Sequence, residues 1–462
     1  MDGNNFNCHE RMGLYMAQKH YVLDTNILLQ SPNAIFGFDD NSVYITSTTL
    51  QELDSKKTLK GELGYGARET ARIIEHLMKR GDIIKGVPIN DVGTFRILTD
   101  GISASHLLEG YSLEKADNRI ISACKALQNM VEEPVILVTN DTLMRINAVA
   151  NHLPAQAYKN DHVDDDNVYK GIRRVETEDW QFLDDLYAKG KVSHYYDIEN
   201  PSENEFFVLT SGNKSALAMY RDEAFELVKK QKAMKIEPRN VAQTFALRAL
   251  LAPPEEIPLV ILKGAAGTAK TFLSLAAGLA RAYHVKGCPS MYNQIYITRA
   301  NQLADADFGY LPGDLSDKMR ELINPFTDNL EVILRGDSKE DNDEIQTQID
   351  DLFDSKIIRL LPLSYIRGRS ITNSYIIVDE AQNCSAQLMR DIVTRLGQGS
   401  KLVVLGDPSQ CDNHMLDSRN NGLVYVADKF HKSNSKLCAQ ITFDDEMSVR
   451  SALATEALDV LG

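Results

Sequence analysis

Two sets of residues in this 462-residue chain have the types and spacing that phosphate chemistry needs. The first lies in Leu259–Thr271, LVILKGAAGTAKT. The short apolar run Leu259–Leu262 predicts a buried parallel strand. A small-residue turn follows, Gly264, Ala265, Ala266, Gly267, Thr268 and Ala269, and Lys270 and Thr271 then open a helical pattern, FLSLAAGLARAY. A strand, a Gly-rich turn and a helix N-terminus together aim backbone N–H groups at a polyphosphate. Lys270 is placed for the β- and γ-phosphates and Thr271 for Mg²⁺. Ala269 is the departure, because glycine is expected before the lysine, and a methyl group there threatens to crowd the phosphates or strain the turn. Downstream, SYIIVDEAQ is a buried strand ending in Asp379 and Glu380. Asp379 suits Mg²⁺ held through water, and Glu380 suits orienting or deprotonating the attacking water. KLVVLGDPSQ is a further strand, with Gln410 placed to sense the γ-phosphate.

The second set is acidic: Asp24, Glu52, Asp117 and Asp141. YVLDTNILL is a strand, Tyr21–Leu23, that ends at Asp24. VYITSTTLQELDSKK runs from strand into a helix carrying Glu52. SLEKADNRIISACKAL is a helix with Asp117 near its start, and VILVTNDTLMRINAVA is a buried strand, a turn with Asp141, and a helix. Strand and helix alternate, which implies a parallel α/β sheet. In such a sheet the strand C-termini gather at one edge. Four carboxylates there would repel one another unless a divalent cation such as Mg²⁺ or Mn²⁺ relieved them. A site of that kind can activate water against a phosphodiester. Taken singly, Asp24 and Asp141 are explained as helix caps.

The elements around these sets divide the chain into three stretches. Residues 1–160 hold the acidic set, after a dozen or so residues that read as a loose tail. Residues 161–235 open on the acidic run DHVDDDN, include the single tryptophan, Trp180, and read as a small β-rich connector without a catalytic constellation. Residues 236–462 hold the phosphate loop. Within them, residues 335–356 are acidic and polar and read as a surface insertion.

Over residues 20–155, VLDTN, the LQEL helix, KADNRII and LVTNDTLMR resemble the PIN-domain nucleases. The resemblance maps that family's acids onto Asp24, Glu52, Asp117 and Asp141, with Thr139 or Asn140 assisting. It implies a metal-dependent ribonuclease that prefers single strands. On the helix GYGARETARIIEHL, Arg68 and Arg72 are candidates for RNA phosphate, against the plainer reading of a solvated face. Over residues 236–455, GAAGTAKT, GYLPGD, IRGRS (with Arg367 and Arg369), IIVDEAQN and LGDPSQ resemble the PhoH family of ATPases, relatives of superfamily 1 helicases, and so a RecA-like P-loop domain. In helicase-like ATPases a glutamine at the place of Gln243 reads adenine, whose edge an amide complements. An arginine at the place of Arg450 contacts the γ-phosphate, and in rings of such ATPases it comes from a neighbouring subunit. That implies a closed homo-oligomer such as a hexamer. The whole chain resembles the PIN–PhoH (PhoH2) family, for which the implied activity is ATP-dependent RNA unwinding coupled to cleavage.

Composition sets the outer bounds. Charged residues are 25% and hydrophobic ones 43%, as in ordinary globular domains, and the net charge of −15 argues against a broad basic coat for nucleic acid. Cys8, Cys124, Cys288, Cys384, Cys411 and Cys438 include no CxxC pair, which fits a reduced cytoplasm better than a disulfide framework or structural zinc. No run approaches a membrane span, so no membrane partner is expected. The expected ligands are ATP, Mg²⁺ or Mn²⁺, and single-stranded RNA, with DNA open as an alternative. A second possibility is a regulatory RNA-binding protein in which the acidic set does not cut and ATP acts as a slow switch.

Overall fold

The computed structural model describes residues 18–59, 61–90, 93–99, 101–158, 169–193, 198–283, 290–300, 315–336, 341–361, 363, 370–412, 416 and 418–443. The N-terminal tail, the DHVDDDN run, the GYLPGD segment, Arg367, Arg369 and Arg450 lie outside the described residues. The chain divides into two compact units. One comprises the residues up to Tyr158 except Lys60–Glu62, and the other comprises the remainder.

The first unit is built on a six-stranded sheet. Its strands are β1 (His20–Leu23), β2 (Ser42–Thr46), β3 (Val87–Pro88), β4 (Thr94–Leu98), β5 (Val135–Val138) and β6 (Ala155–Gln156), in the order β3-β4-β2-β1-β5-β6. All pairs are parallel except β3 with β4. Every residue of β1 and β2 is buried, as expected for strands covered on both faces. The register sets Leu23 beside Val138, so the residues just past β1 and β5 come out side by side. On the helix Gly61–Met78, Arg68 donates to the carbonyls of Lys57 and Leu59, and Arg72 pairs with Glu69. Both guanidiniums are engaged with their own neighbourhood, in keeping with the solvated-face reading.

The second unit carries two sheets. The smaller contains β7 (Ile172–Glu176), β8 (Lys191–Ser193), β9 (Phe206–Ser211), β10 (Lys214–Arg221) and β11 (Ala224–Leu227), in the order β7-β9-β10-β11-β8. The helix Trp180–Lys189 buries Phe182, Leu183 and Leu186 against it. The larger sheet contains β12 (Leu259–Gly264), β13 (Gln294–Arg299), β14 (Ile358–Leu360), β15 (Ser374–Asp379), β16 (Lys401–Gly406) and β17 (Cys438–Phe443), in the order β14-β13-β15-β16-β12-β17 and parallel throughout. The helices Val241–Leu251 and Lys270–Ala282 bury Phe245, Leu250, Leu275 and Leu279 in the core of this layer.

The β-rich stretch is more than a connector, because its sheet is docked on the larger one. Phe206 stacks on Phe245 with ring centroids 4.8 Å apart. The Thr442 N–H donates to the Lys170 carbonyl at 2.9 Å, and the Asn204 amide donates to the carbonyls of Lys436 and Cys438. Lys263, the residue before the phosphate turn, is buried and donates its ammonium to the Tyr169 carbonyl at 2.8 Å. Burial pushes this lysine down to about 8.

The acidic stretch at 335–356 is also corrected. Asn342–Asp354 is a helix, and Ile345, Ile349 and Leu352 are buried in the core of the larger sheet's layer. Their spacing sets one apolar face. Interleaved aspartates and glutamates hide that face in a reading by composition.

Candidate active sites

At the phosphate loop, β12 delivers Gly264 and the helix Lys270–Ala282 starts at Lys270. The Lys270 ammonium lies in its own turn, donating to the carbonyls of Gly264 at 2.5 Å and Ala265 at 2.9 Å and reaching the Thr268 hydroxyl at 3.3 Å. Ala269 is the N-cap and sits at φ 67°, ψ 23°, the left-handed region. A Cβ costs about 1 kcal/mol or more there, which accounts for the usual glycine at this place. The Thr271 hydroxyl stands 3.4 Å from an Asp379 carboxylate oxygen, so loop and acidic strand end meet across adjacent elements. Burial pushes Asp379 up to about 6 and the Glu380 charge adds to this, while Arg299 and Lys270 pull the other way.

Glu380 also has a left-handed backbone, φ 54° and ψ 38°. One of its oxygens accepts from the Arg299 guanidinium at 3.1 Å and the other from the Gln382 amide at 2.7 Å. Gln410 is exposed, and its carbonyl accepts from the same Gln382 amide at 3.0 Å. Gln243 is buried at the start of its helix, and its side-chain oxygen accepts from the Arg239 N–H at 2.8 Å. That oxygen therefore ties the residue before the Asn240 N-cap to the first turn of the helix.

At the edge of the first unit, Asp24 and Asp141 are each N-caps, accepting from Thr25 N–H and Met144 N–H respectively. The Thr139 hydroxyl is the hub between them. It donates to the second Asp24 oxygen at 2.7 Å, and it accepts from the Asp141 N–H at 3.1 Å and the Asn26 amide at 3.0 Å. The Thr25 hydroxyl donates to Glu52. Asn140 instead braces the scaffold, through Gln30 and the Tyr158 N–H. Burial pushes Asp24 up to about 7, and the charges of Asp117 and Glu52 add to it against the Thr139 and Thr25 bonds. Asp117 is raised by burial, then by Asp141 and Glu52.

The four acids therefore feel one another, as their types and places require. Among the described residues no group of three or more His, Cys, Asp or Glu side chains is arranged to hold a metal ion. The local bonds explain this, because Asp24, Glu52 and Asp141 each turn at least one oxygen to a neighbouring N–H or hydroxyl. The donor chemistry suits a hard divalent cation: several carboxylates lie at one edge, and the buried Asp24 is pushed toward its neutral form unless positive charge is added.

Three residues of these sites escaped the sequence reading. Arg299 and Gln382 grip Glu380, and Asp407 lies in the turn beyond β16 with its N–H on the Gln382 side-chain oxygen. Gln382 stands within the DEAQ string, two residues after Glu380, whereas Arg299 reaches Glu380 only through the pairing of β13 with β15.

Comparison with known proteins bears on both units. Residues 235–461 match the family described as PhoH-like protein, and residues 21–159 match the PIN domain. Protein PhoH2 of Bacillus subtilis is 38% identical over 427 residues, covering 89% of this chain and 93% of that protein. Protein PhoH2 of Thermobispora bispora is 30% identical, covering 95% and 96%, and that of Mycolicibacterium smegmatis is 28% identical, covering 96% and 97%.

Proposed function

Since the chain belongs to the PIN–PhoH (PhoH2) family, a PIN domain followed by a PhoH domain, we propose that it is a hydrolase in which ATP turnover remodels single-stranded RNA for cleavage by the PIN domain. The observation that carries the reading is the approach of Thr271 to Asp379, with Glu380 at the same strand end, in a chain that also gathers four interacting carboxylates in another unit. In hydrolysis, Lys270 exchanges loop carbonyls for β- and γ-phosphate oxygens. Thr271 and Asp379 would hold Mg²⁺, which when bound neutralises phosphate charge. Glu380 accepts a proton from water as that water's oxygen forms a bond to the γ-phosphorus and the bond to ADP breaks. In the PIN domain, Asp24, Glu52, Asp117 and Asp141 would hold Mg²⁺ or Mn²⁺, which when bound makes water easier to deprotonate for attack on a phosphodiester. Thr139 keeps Asp24 oriented. The reading extends to a closed homo-oligomer, a hexamer, with Arg450 as the γ-phosphate contact, and to a cytoplasmic setting. Among the described residues no helix is long and apolar enough to cross a membrane.

The direct test is cleavage of labelled single-stranded RNA and DNA with Mg²⁺ or Mn²⁺, with and without ATP. Cleavage of RNA that rises with ATP supports the proposal, and cleavage of DNA alone moves the substrate class. A second reading, an RNA-binding protein switched slowly by ATP, is favoured by the left-handed Ala269. RNA binding without cleavage in either metal would select it.

A further inference from the structure

We propose that Arg299 is a latch on the hydrolytic carboxylate of Glu380, opened when a phosphate oxygen takes over its guanidinium. The proposal rests on the ATPase reading above and adds a mode of control to it.

Glu380 is held on both sides. Arg299 Nη2 donates to Oε1 at 3.1 Å, and Gln382 Nε2 donates to Oε2 at 2.7 Å. A charged oxygen that already accepts a charge-assisted hydrogen bond is a weaker proton acceptor, and the grip on both oxygens restricts where the carboxylate can swing. The backbone of Glu380 is left-handed, which a glutamate adopts only when its surroundings dictate it. Gln382 supplies part of that dictation. Its Oε1 accepts from the Asp407 N–H at 3.1 Å and its Nε2 also donates to the Gln410 carbonyl at 3.0 Å, tying Glu380 to the turn beyond β16. Gly406 makes room for this, since a Cβ there would lie 2.3 Å from Gln382 Oε1.

The two grips differ in permanence. Gln382 is 1% exposed and shares its amide among three partners, so it stays. The Arg299–Glu380 pair is open to solvent, with side chains 27% and 34% exposed. The Arg299 Nε is buried and has no hydrogen-bond partner among the described residues, so the guanidinium makes only part of the bonds it can there. A guanidinium of this kind is suited to bind two phosphate oxygens at once, which a single Glu380 oxygen does not offer it. Arg299 ends β13 and leads out of the sheet at the same edge as Asp379, in direct register with it. Two sources could supply the phosphate: the polynucleotide backbone or the γ-phosphate of ATP. Arg299 is a positioning residue, since it acts through Glu380.

The test is steady-state ATPase by the full chain with Mg²⁺, with and without poly(U) RNA, for wild type, Arg299→Ala and Arg299→Lys. The latch predicts that Arg299→Ala raises kcat without RNA by up to about five-fold, the equivalent of a partly exposed ion pair, with KM for ATP unchanged. Arg299→Lys, which keeps charge but loses the fork, should fall between. If the RNA stimulation seen in wild type disappears in Arg299→Ala, the phosphate comes from the polynucleotide. If it persists on the raised baseline, the polynucleotide is not what opens the latch. A drop in kcat in both variants, with the wild-type ratio of stimulated to unstimulated rates intact, overturns the latch while the ATPase reading stands. Absence of ATPase in wild type overturns both. Thermal melting of each variant separates these results from misfolding, and Arg299→Lys carries the test if Arg299→Ala does not fold.

Discussion

The phosphate loop and the acidic edge are built on the same plan and solve their electrostatics in opposite ways. Each sits past the C-terminal ends of parallel strands, where helix starts and strand ends meet. At the phosphate loop the protein supplies its own positive charge. Lys270 and Arg299 lie near Asp379 and Glu380 and limit the rise of Asp379 to about 6. At the acidic edge burial drives Asp24 to about 7 and the charges of Asp117 and Glu52 add to it, while the opposing pull comes from the hydrogen bonds of Thr139 and Thr25 and not from a cation. The first site is thus balanced before any ligand binds, and the second depends on added charge. Burial alone does not separate them, since both aspartates are buried.

The strongest challenge to this contrast is a double dissociation. Asp24→Asn or Asp117→Asn should lower metal-dependent RNA cleavage by about 10²-fold or more and leave ATPase turnover near wild type. Lys270→Ala or Glu380→Gln should do the reverse, with Glu380→Gln still binding ATP in calorimetry. Loss of both activities in any one variant would mean that the two sites are not separately balanced.

Next in size is the source of the remaining positive charge at the ATP site. An arginine finger is worth about 10³-fold or more in turnover. Arg450→Ala subunits mixed with Lys270→Ala subunits, each inactive alone, should recover ATPase if Arg450 reaches a neighbour's nucleotide. No recovery, with a monomeric mass in light scattering, would return Arg450 to its own subunit or to the surface.

A smaller effect concerns Asp24 without metal. Its folded value is raised from 3.8 to about 7, so the fold favours the neutral form. Stability from this group is present below about pH 4 and is lost as pH rises toward 7, with an upper bound of roughly 4 kcal/mol at three units of displacement. In EDTA at pH 8, Asp24→Asn should therefore melt above wild type, and at pH 4 the gap should close. Adding Mg²⁺ should raise the wild-type melting temperature and not that of the variant. Equal response of the two proteins would show that the cation does not settle beside Asp24.

The smallest change is at Ala269. Replacing it with glycine removes the left-handed alanine, and the gain in loop stability should be about 1 kcal/mol at most, since glycine also frees the unfolded chain. ATP affinity should stay level or tighten. A marked loss would mean that the methyl group packs usefully against the nucleotide.

These sites were legible where chemistry lies in contiguous residues. Asp24, Asp141, Lys270, Thr271 and Asp379 each follow a strand or open a helix, and local pattern places them. The plain capping of Asp24 and Asp141 was legible for the same reason. Interactions that cross the sheet were not. Arg299 meets Glu380 only because β13 pairs with β15, and Gln382 meets Asp407 only because β15 pairs with β16. Gln243 was read as an adenine contact through its amide, and the bond that its oxygen accepts from a backbone N–H four residues earlier was not part of that reading. The apolar face of Asn342–Asp354 was masked by its own acids.

The docking of the β-rich sheet bears on how this protein can be cut. A fragment begun at residue 235, where the family match starts, keeps the whole loop from Gly264 to Thr271. It also removes Tyr169, whose carbonyl is the acceptor for Lys263, and Phe206, which covers Phe245. An ammonium buried beside Gly264 would then have to find water or lose its proton, and an aromatic face would open on the helix that precedes the loop. For work on the isolated ATPase, the natural starting point is therefore about Tyr169, so that the lobe travels with the sheet it braces.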